Sequence, residues 1–354
     1  MSNRKEGPVT SAEIRKIFTR ISPEQSKEDE ILQDLEGTVF GQKNALLVIS
    51  KCLAGIESGI TAKDKPLGAI LHLGPTGVGK TETINAIAKR WFGDKNKDRL
   101  LVINGADYAK EDDKGFIIND FPKTPISHLT GRINPQWLYE VDPDTQKPKR
   151  SIIVVRDAHK LHPLASEQVF SPILENGVLP VIGKEGKEEL LKFHNTLFFF
   201  ERNITANDLN FLFHRIGFAP QQFSSLSERN QAIKTGLQKQ IPFIKKLTDI
   251  ALFDNLDRKS GVYGKIFDKF IKERTDSVTK EAGKDISLVI AGDAKDKIIH
   301  QVNTALGADD LSMLVDSEII SGFSQLVNTH AMMDSTVYAA LDEKGKIAFY
   351  REQP

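Results

Sequence analysis

Residues Gly74 to Thr81 read GPTGVGKT, the pattern G-x-x-x-x-G-K-[ST], and few short strings constrain a fold as tightly. The string follows the apolar run AILHL (Ala69 to Leu73), which reads as a buried strand, and precedes Thr81 to Phe92, which reads as a helix. Strand, glycine-rich turn and helix in that order make a phosphate-binding loop. Glycines let backbone N–H groups turn inward toward an anion. The helix behind them directs its positive end to the same place. Gly74, Pro75, Thr76, Gly77, Val78, Gly79, Lys80 and Thr81 are therefore the candidate cradle for ATP. Lys80 reaches the outer phosphates, and Thr81 offers a hydroxyl to Mg²⁺.

Further apolar runs recur at RLLVIN (Arg99 to Asn104), SIIVV (Ser151 to Val155) and NTLFFF (Asn195 to Phe200). Each is followed by polar or helical sequence, so buried strands alternate with helices and predict an α/β fold, a parallel sheet with helices on its faces. Upstream, a helix pattern runs from about Ile31 to Leu35, and a second carries Ala45, Leu46, Ile49 and Leu53 on one face. The stretch from Asp107 to Arg150, rich in Asp, Lys and Pro, reads mostly as surface loop. Beyond Phe253 helical patterns dominate as far as Phe323, and KIAFY closes the chain as an edge strand. A boundary near Asp254 divides the chain into a connector (1–30), a large nucleotide-binding subdomain (31–254) and a small, mainly helical C-terminal subdomain (255–354).

With 354 residues there is room for both. Lys+Arg and Asp+Glu each number 48, so the formal net charge is 0, which argues against nucleic acid as the main partner. The single cysteine, Cys52, has no partner for an internal disulfide and is expected to be a buried small hydrophobe. No Cys/His spacing suggests zinc. No apolar run is long enough to span a bilayer and no secretory leader is evident, so the default location is the cytoplasm.

The segment VFGQKNALLVI, continued by KPLGAILHLGPTGVGKTETINAIAK, resembles the opening of the second AAA+ ATPase domain of Clp unfoldases and disaggregases. The resemblance continues through DAHKLHP (Asp157 to Pro163), VFSPILENGVLP (Val169 to Pro180), NTLFFFERN (Asn195 to Asn203), PFIKKLTDIALF (Pro242 to Phe253) and GADDLSMLV (Gly307 to Val315). It covers nearly the whole chain and implies one such module standing alone, with nucleotide held between two subdomains. It implies that Val39, Phe40, Gly41 and Gln42 pack around adenine. It implies a homo-oligomeric ring, or a mixed ring with related subunits, that draws a polypeptide client through its pore. Pore-loop aromatics are expected just after SHLTG (Ser127 to Gly131), which makes Trp137 and Tyr139 the candidates. Ile216-Gly217-Phe218 resembles the tripeptide by which some relatives dock on the ClpP peptidase, set against the bland reading of a loop tip folded on its own domain.

Several positions that serve hydrolysis depart from the family pattern. An Asp-Glu pair is expected at the end of a hydrophobic strand, the first to support Mg²⁺ and the second to orient the attacking water. With KLHP as anchor, Arg156 and Asp157 stand there; one residue of slippage makes Asp157 the metal residue and leaves Ala158 at the water position. The arginine finger aligns with Lys246, which lacks the planar fork, and the sensor arginine after Gly307-Ala308 is Asp309. The polar sensor Asn203 is retained. Asp157, Lys246 and Asn203 are thus the candidate catalytic residues, and Thr81 and Asp157 the candidate metal residues. The expected function is an ATP-binding, ring-forming module in protein remodelling with weak or no hydrolysis of its own. The alternative is an active unfoldase, with or without a peptidase.

Overall fold

The computed structural model describes residues 26–93, 99–108, 138–143, 148–182, 187–215, 223, 225–329 and 335–351. The segment Ser127 to Gly131, Trp137 and the tripeptide Ile216-Gly217-Phe218 lie outside the described residues.

Two helices packed against each other open the described chain: α1 (Lys27–Glu36) and α2 (Lys43–Glu57). A capping box starts α1, because the Ser26 hydroxyl accepts from the Asp29 N–H at 3.1 Å while the Asp29 carboxylate accepts from the Ser26 N–H. Ile31 and Leu35 of α1 and Ala45, Leu46, Ile49 and Leu53 of α2 are buried, as their spacing predicts. Then come β1 (Gly68–Gly74), α3 (Lys80–Phe92), β2 (Leu100–Asn104) and β3 (Ser151–Arg156). Short helical turns lead to α4 (Ser171–Asn176), a hairpin of β4 (Val178–Ile182) and β5 (Glu188–Lys192), and β6 (Thr196–Asn203). Helices α5 (Ala206–Arg215) and α6 (Leu226–Leu237) precede β7 (Asp249–Leu252).

The central sheet is parallel, in the order β2-β3-β6-β1-β7. Its inner strands β1, β3 and β6 are buried on both faces, which explains why they read as continuous apolar runs instead of alternating ones. One face packs Phe198, Phe200, Ile153 and Val155 against Phe170 and Phe243, with the rings of Phe200 and Phe243 4.7 Å apart. The other packs Ile70, Phe199, Ile152 and Val154 against α1, α2 and α3. Arg90 of α3 holds that layer together, pairing with Glu30 and Asp34 of α1 at 2.8 and 2.9 Å and with Glu57 of α2 at 3.1 Å. Cys52 is half-buried against β1, short of full burial, and desolvation there pushes its thiol up to about 12.

The C-terminal subdomain comprises α7 (Val262–Ala282), β8 (Ile286–Ile290), α8 (Gly292–Gln301), α9 (Ala308–Val315), α10 (Ser321–Asn328), β9 (Ser335–Leu341) and β10 (Ile347–Arg351). Tyr263, Phe267, Ile298, Leu311 and Ile319 form its core. The expected closing strand is β10, and it is the edge of a three-stranded sheet with β9 and β8 that the helical reading of this region did not include.

Candidate functional site

Parallel strands deliver their C-terminal ends to one side of a sheet, and a cleft of about 440 Å³ opens there, between the sheet and the C-terminal subdomain. Its floor is the phosphate loop. Gly79 takes a left-handed conformation (φ 101°) immediately before α3 and so turns the chain into the helix. Of the predicted cradle, Thr76, Gly77, Val78, Gly79, Lys80 and Thr81 line the cleft, while Gly74 and Pro75 lie behind it. The Lys80 ammonium donates to the carbonyl of Gly74 at 2.9 Å and to that of Pro75. Burial pulls its pKa down to about 8, against the pull of Glu201, Asp309 and Asp157.

One end of the cleft is apolar. Val39 and Phe40 face Leu256, Ile266 and Phe270 across it, a slot of the kind that an adenine ring fills. The other two residues of that box do not line the cleft. Gln42 is buried and bonds the chain at the subdomain boundary twice: its amide nitrogen donates to the Asp254 carbonyl and its amide oxygen accepts from the Asp254 N–H, both at 2.9 Å. Gly41 lies against Val262 at the start of α7. These two residues position the slot.

The polar end is where the sheet contributes. Asn104, Arg156, Asp157, Glu201 and Asn203 all reach it. Asp157 is the one non-glycine residue with positive φ among the described residues (φ 50°, ψ 44°), a conformation that Asp tolerates better than most. Its carboxylate pairs with Lys160 at 2.9 Å. Arg156, half exposed, lies with Nε 3.5 Å from Glu201 Oε2. The Thr81 hydroxyl donates to Glu201 Oε1 at 3.3 Å. Glu201 itself is buried, and desolvation raises its pKa. The reading of the sequence missed this residue, although a charged side chain directly after Phe198-Phe199-Phe200, one strand from Arg156, was a usable signal.

The C-terminal subdomain closes the third side. The Ala308 N–H, at the start of α9, donates to the Gly77 carbonyl at 2.8 Å, and the Thr76 hydroxyl donates to Asp309 at 3.0 Å. Asp309, which stands at the position of the expected sensor arginine, lies in the first turn of α9, where a carboxylate suits the helix dipole. Lys269 of α7 donates to the Thr38 carbonyl at 3.0 Å and pairs with Glu82 of α3 at 2.5 Å. Lys246 lies outside the cleft and pairs with Glu175 at 2.7 Å. Tyr139, the described member of the two pore-loop candidates, is half exposed and donates its hydroxyl to the Leu190 carbonyl at 2.7 Å.

A family model described as AAA domain (Cdc48 subfamily) matches residues 65–243, just over half of the chain. This chain belongs to the Clp-family AAA+ ATPases. Within that family it is similar to the ATP-dependent Clp protease ATP-binding subunit ClpC of Staphylococcus aureus (strain USA300), with 26% identity over 88% of this chain and 36% of the relative. It is likewise similar to the subunit ClpE of Bacillus subtilis, with 23% identity over 92% of this chain and 43% of that protein. The chain therefore spans well under half the length of these relatives. The matched residues include the phosphate loop, and membership implies ATP, usually with Mg²⁺. The donors at the polar end fit such a group. Thr81, Glu201 and Asp157 carry hard oxygen donors, and Mg²⁺ is commonly held by one or two carboxylates plus substrate phosphates rather than by an all-protein cage. No group of three or more His, Cys, Asp or Glu side chains able to hold a metal alone occurs among the described residues. Among them, too, no helix is long and apolar enough to cross a membrane.

Proposed function

We propose that this chain is a nucleotide-responsive Clp-type module: it binds Mg·ATP in the cleft, couples its two subdomains through the bound nucleotide, and turns ATP over slowly or not at all. The single observation that carries this reading is the asymmetry of the cleft. The cradle, the apolar slot and the inter-subdomain contacts are all present, whereas in the register anchored on KLHP Arg156 stands where the family resemblance expects the metal-supporting carboxylate, and Asp157, the water-orienting candidate in that register, is paired with Lys160. A shorter carboxylate held by an ammonium is a poor orienter of water. The metal, when bound, would offset charge on the β- and γ-phosphates. Lys80 and the α3 N-terminus hold those phosphates, and Thr76, Asp309 and Lys269 link their cradle to the C-terminal subdomain.

Kinship with ATP-binding subunits of Clp proteases supports a role in protein remodelling, within a ring made of copies of this chain or of related subunits. Lys246, outside its own cleft, is then the cation offered to a neighbour's nucleotide, and a polypeptide is the client. A ClpP-type peptidase is the partner for Ile216-Gly217-Phe218 in this reading. Nucleic acid is not expected, given a net charge of 0.

The test is a pair of measurements on wild type and Lys80→Ala. Calorimetry with ATP should give at least a tenfold weaker affinity for the variant, about 1.4 kcal/mol. Phosphate release by the wild type at saturating Mg·ATP should stay well below one per second per chain, with the variant as blank. Equal affinities would remove the assignment of the cradle, and a rate of once per second or more would establish the active-motor alternative, since it lies in the ordinary enzyme range.

A further inference from the structure

Three strands of the sheet end side by side at the cradle. Asn104 on β2 pairs in register with Arg156 on β3, and Val155 pairs with Phe200, so Arg156 and Glu201 are neighbours in the next row. On β6, Glu201 stands opposite His72 of β1, and Asn203, two residues on, opposite Gly74. Residues two apart on a strand share a face. Phe199, Glu201 and Asn203 therefore share one face, which is the face of Ile152, Val154 and Arg156 on β3, packed toward the phosphate-loop helix. Adjacent strands lie about 4.8 Å apart, and Glu is one methylene longer than Asp. Glu201 on β6 and Arg156 on β3 line the same end of the cleft, so a carboxylate on either strand faces the same ground.

We propose that Glu201 is the metal-side carboxylate of this cleft, holding with Thr81 the divalent cation that accompanies the nucleotide, in place of the carboxylate that Arg156 has replaced. The proposal rests on the nucleotide-binding reading above. Thr81 and Glu201 already meet at 3.3 Å, so one hydroxyl and one carboxylate oxygen converge on a single point beside Lys80. Glu201 is only 7% exposed, and its contacts to Thr81 and to Arg156, at 3.3 and 3.5 Å, are long for a carboxylate taken out of water. A hard cation satisfies such a group more fully. Arg156 is its counter-charge from the solvent side: its side chain is half exposed, and its long stem lets the guanidinium move into water once another cation neutralises Glu201. Burial already disfavours an uncompensated charge at Glu201, in the same direction. The substitution at 156 and the carboxylate at 201 are then one change distributed over two strands, which preserves metal binding while altering the water-orienting side.

The test measures affinity for a fluorescent ATP analogue in Mg²⁺, in Mn²⁺ and in EDTA. Wild type should bind at least tenfold more tightly with either metal than in EDTA. Glu201→Gln should bring that ratio close to one, while its affinity in EDTA equals or exceeds that of wild type, because a negative charge has left the neighbourhood of the phosphates. Glu201→Asp, which keeps the charge but withdraws it by one methylene, should give an intermediate ratio. Arg156→Gln should keep the ratio or raise it. A wild-type ratio in Glu201→Gln, or a ratio lost in Arg156→Gln but kept in Glu201→Gln, would overturn the proposal. Parallel loss of affinity with and without metal in both Glu201 variants would mark Glu201 as a purely structural counter-ion and overturn it as well. Absence of nucleotide binding by wild type in all three conditions, Mg²⁺ and Mn²⁺ included, would instead bring down the nucleotide-binding reading itself.

Discussion

Lys80 is the residue at which the cleft's electrostatics can be read directly. Desolvation lowers its pKa to about 8 from an ordinary 10.5, and the three nearby carboxylates that favour its charged form do not undo this. An unfolded chain holds the proton more firmly through that window, so this residue's contribution to folding stability improves as pH rises from 8 toward 10.5. Nucleotide reverses the local balance, because phosphates at close range favour the ammonium. Between those pH values the free protein has partly lost the proton and the complex has kept it, so binding takes up protons and affinity falls as pH rises. Calorimetry at pH 8.5 in two buffers of different ionisation enthalpy should show uptake of a substantial fraction of one proton per nucleotide. Lys80→Arg should show none, since a guanidinium stays charged throughout. Uptake equal in both proteins would mean that another group carries the linkage. His72 does not supply it: fully buried between Phe199 and Phe253, it is held down to about 3 and is a neutral part of the core.

At the level of elements, the contact between the phosphate loop and the start of α9 is close enough to be tested by one methyl group. A Cβ on Gly77 would lie 1.9 Å from the Leu306 carbonyl oxygen, and φ is +67° there, so alanine meets both a backbone clash and an unfavourable conformation. Gly77→Ala should push the α9 turn away from the loop, lower the thermal midpoint and weaken ATP at least tenfold. Gly59→Ala is the matched control, with φ of +75° and open space around it, and should cost about 1 kcal/mol of stability with unchanged affinity. If both variants bind alike, the loop does not depend on this contact. The sequence announced the loop because strand, turn and helix are contiguous; it was silent about Leu306 and Gly307, which arrive from more than 220 residues away. Four of the five sheet strands were legible as apolar runs, whereas β7 has only four residues and an apolar run no longer than Ile250 to Phe253. β8 and β9 carry alternating burial on a small sheet; β8 lies within the stretch read as helical, and β9 falls between that stretch and the closing strand. Glu201 was overlooked for a related reason: β6 was read as ending at Phe200, and only the lateral register with β3 reveals whom its next residue meets.

For the whole molecule the question is what the cleft reports, and to whom. Nucleotide would touch both subdomains at once, since Val39 and Phe40 precede the sheet while Ile266, Phe270 and Asp309 follow it. The two subdomains meet through Lys269 with Glu82 and Thr76 with Asp309, so bound nucleotide would act on their relative orientation. A ring requires that orientation to be right in every copy, because an angular error repeats at each interface and prevents closure. Assembly and ATP affinity are then linked, and by mass action the ligand shifts the chain toward the species that binds it better. Sedimentation at increasing protein concentration, with and without a non-hydrolysable ATP analogue, should show larger species appearing at lower concentration when nucleotide is present. Lys246 provides the discriminating variant. It lies outside its own cleft and pairs with the exposed Glu175, so Lys246→Ala should leave a dilute monomer's ATP affinity unchanged. If the lysine reaches a neighbour's phosphates, the same variant should reduce the nucleotide-driven shift, because one charge-assisted contact per interface is gone. A Lys246→Ala protein that assembles like wild type would place this lysine outside the interface. A wild type that stays monomeric at high concentration with saturating nucleotide would exclude a ring of identical copies, and the search for its partners would turn to related subunits.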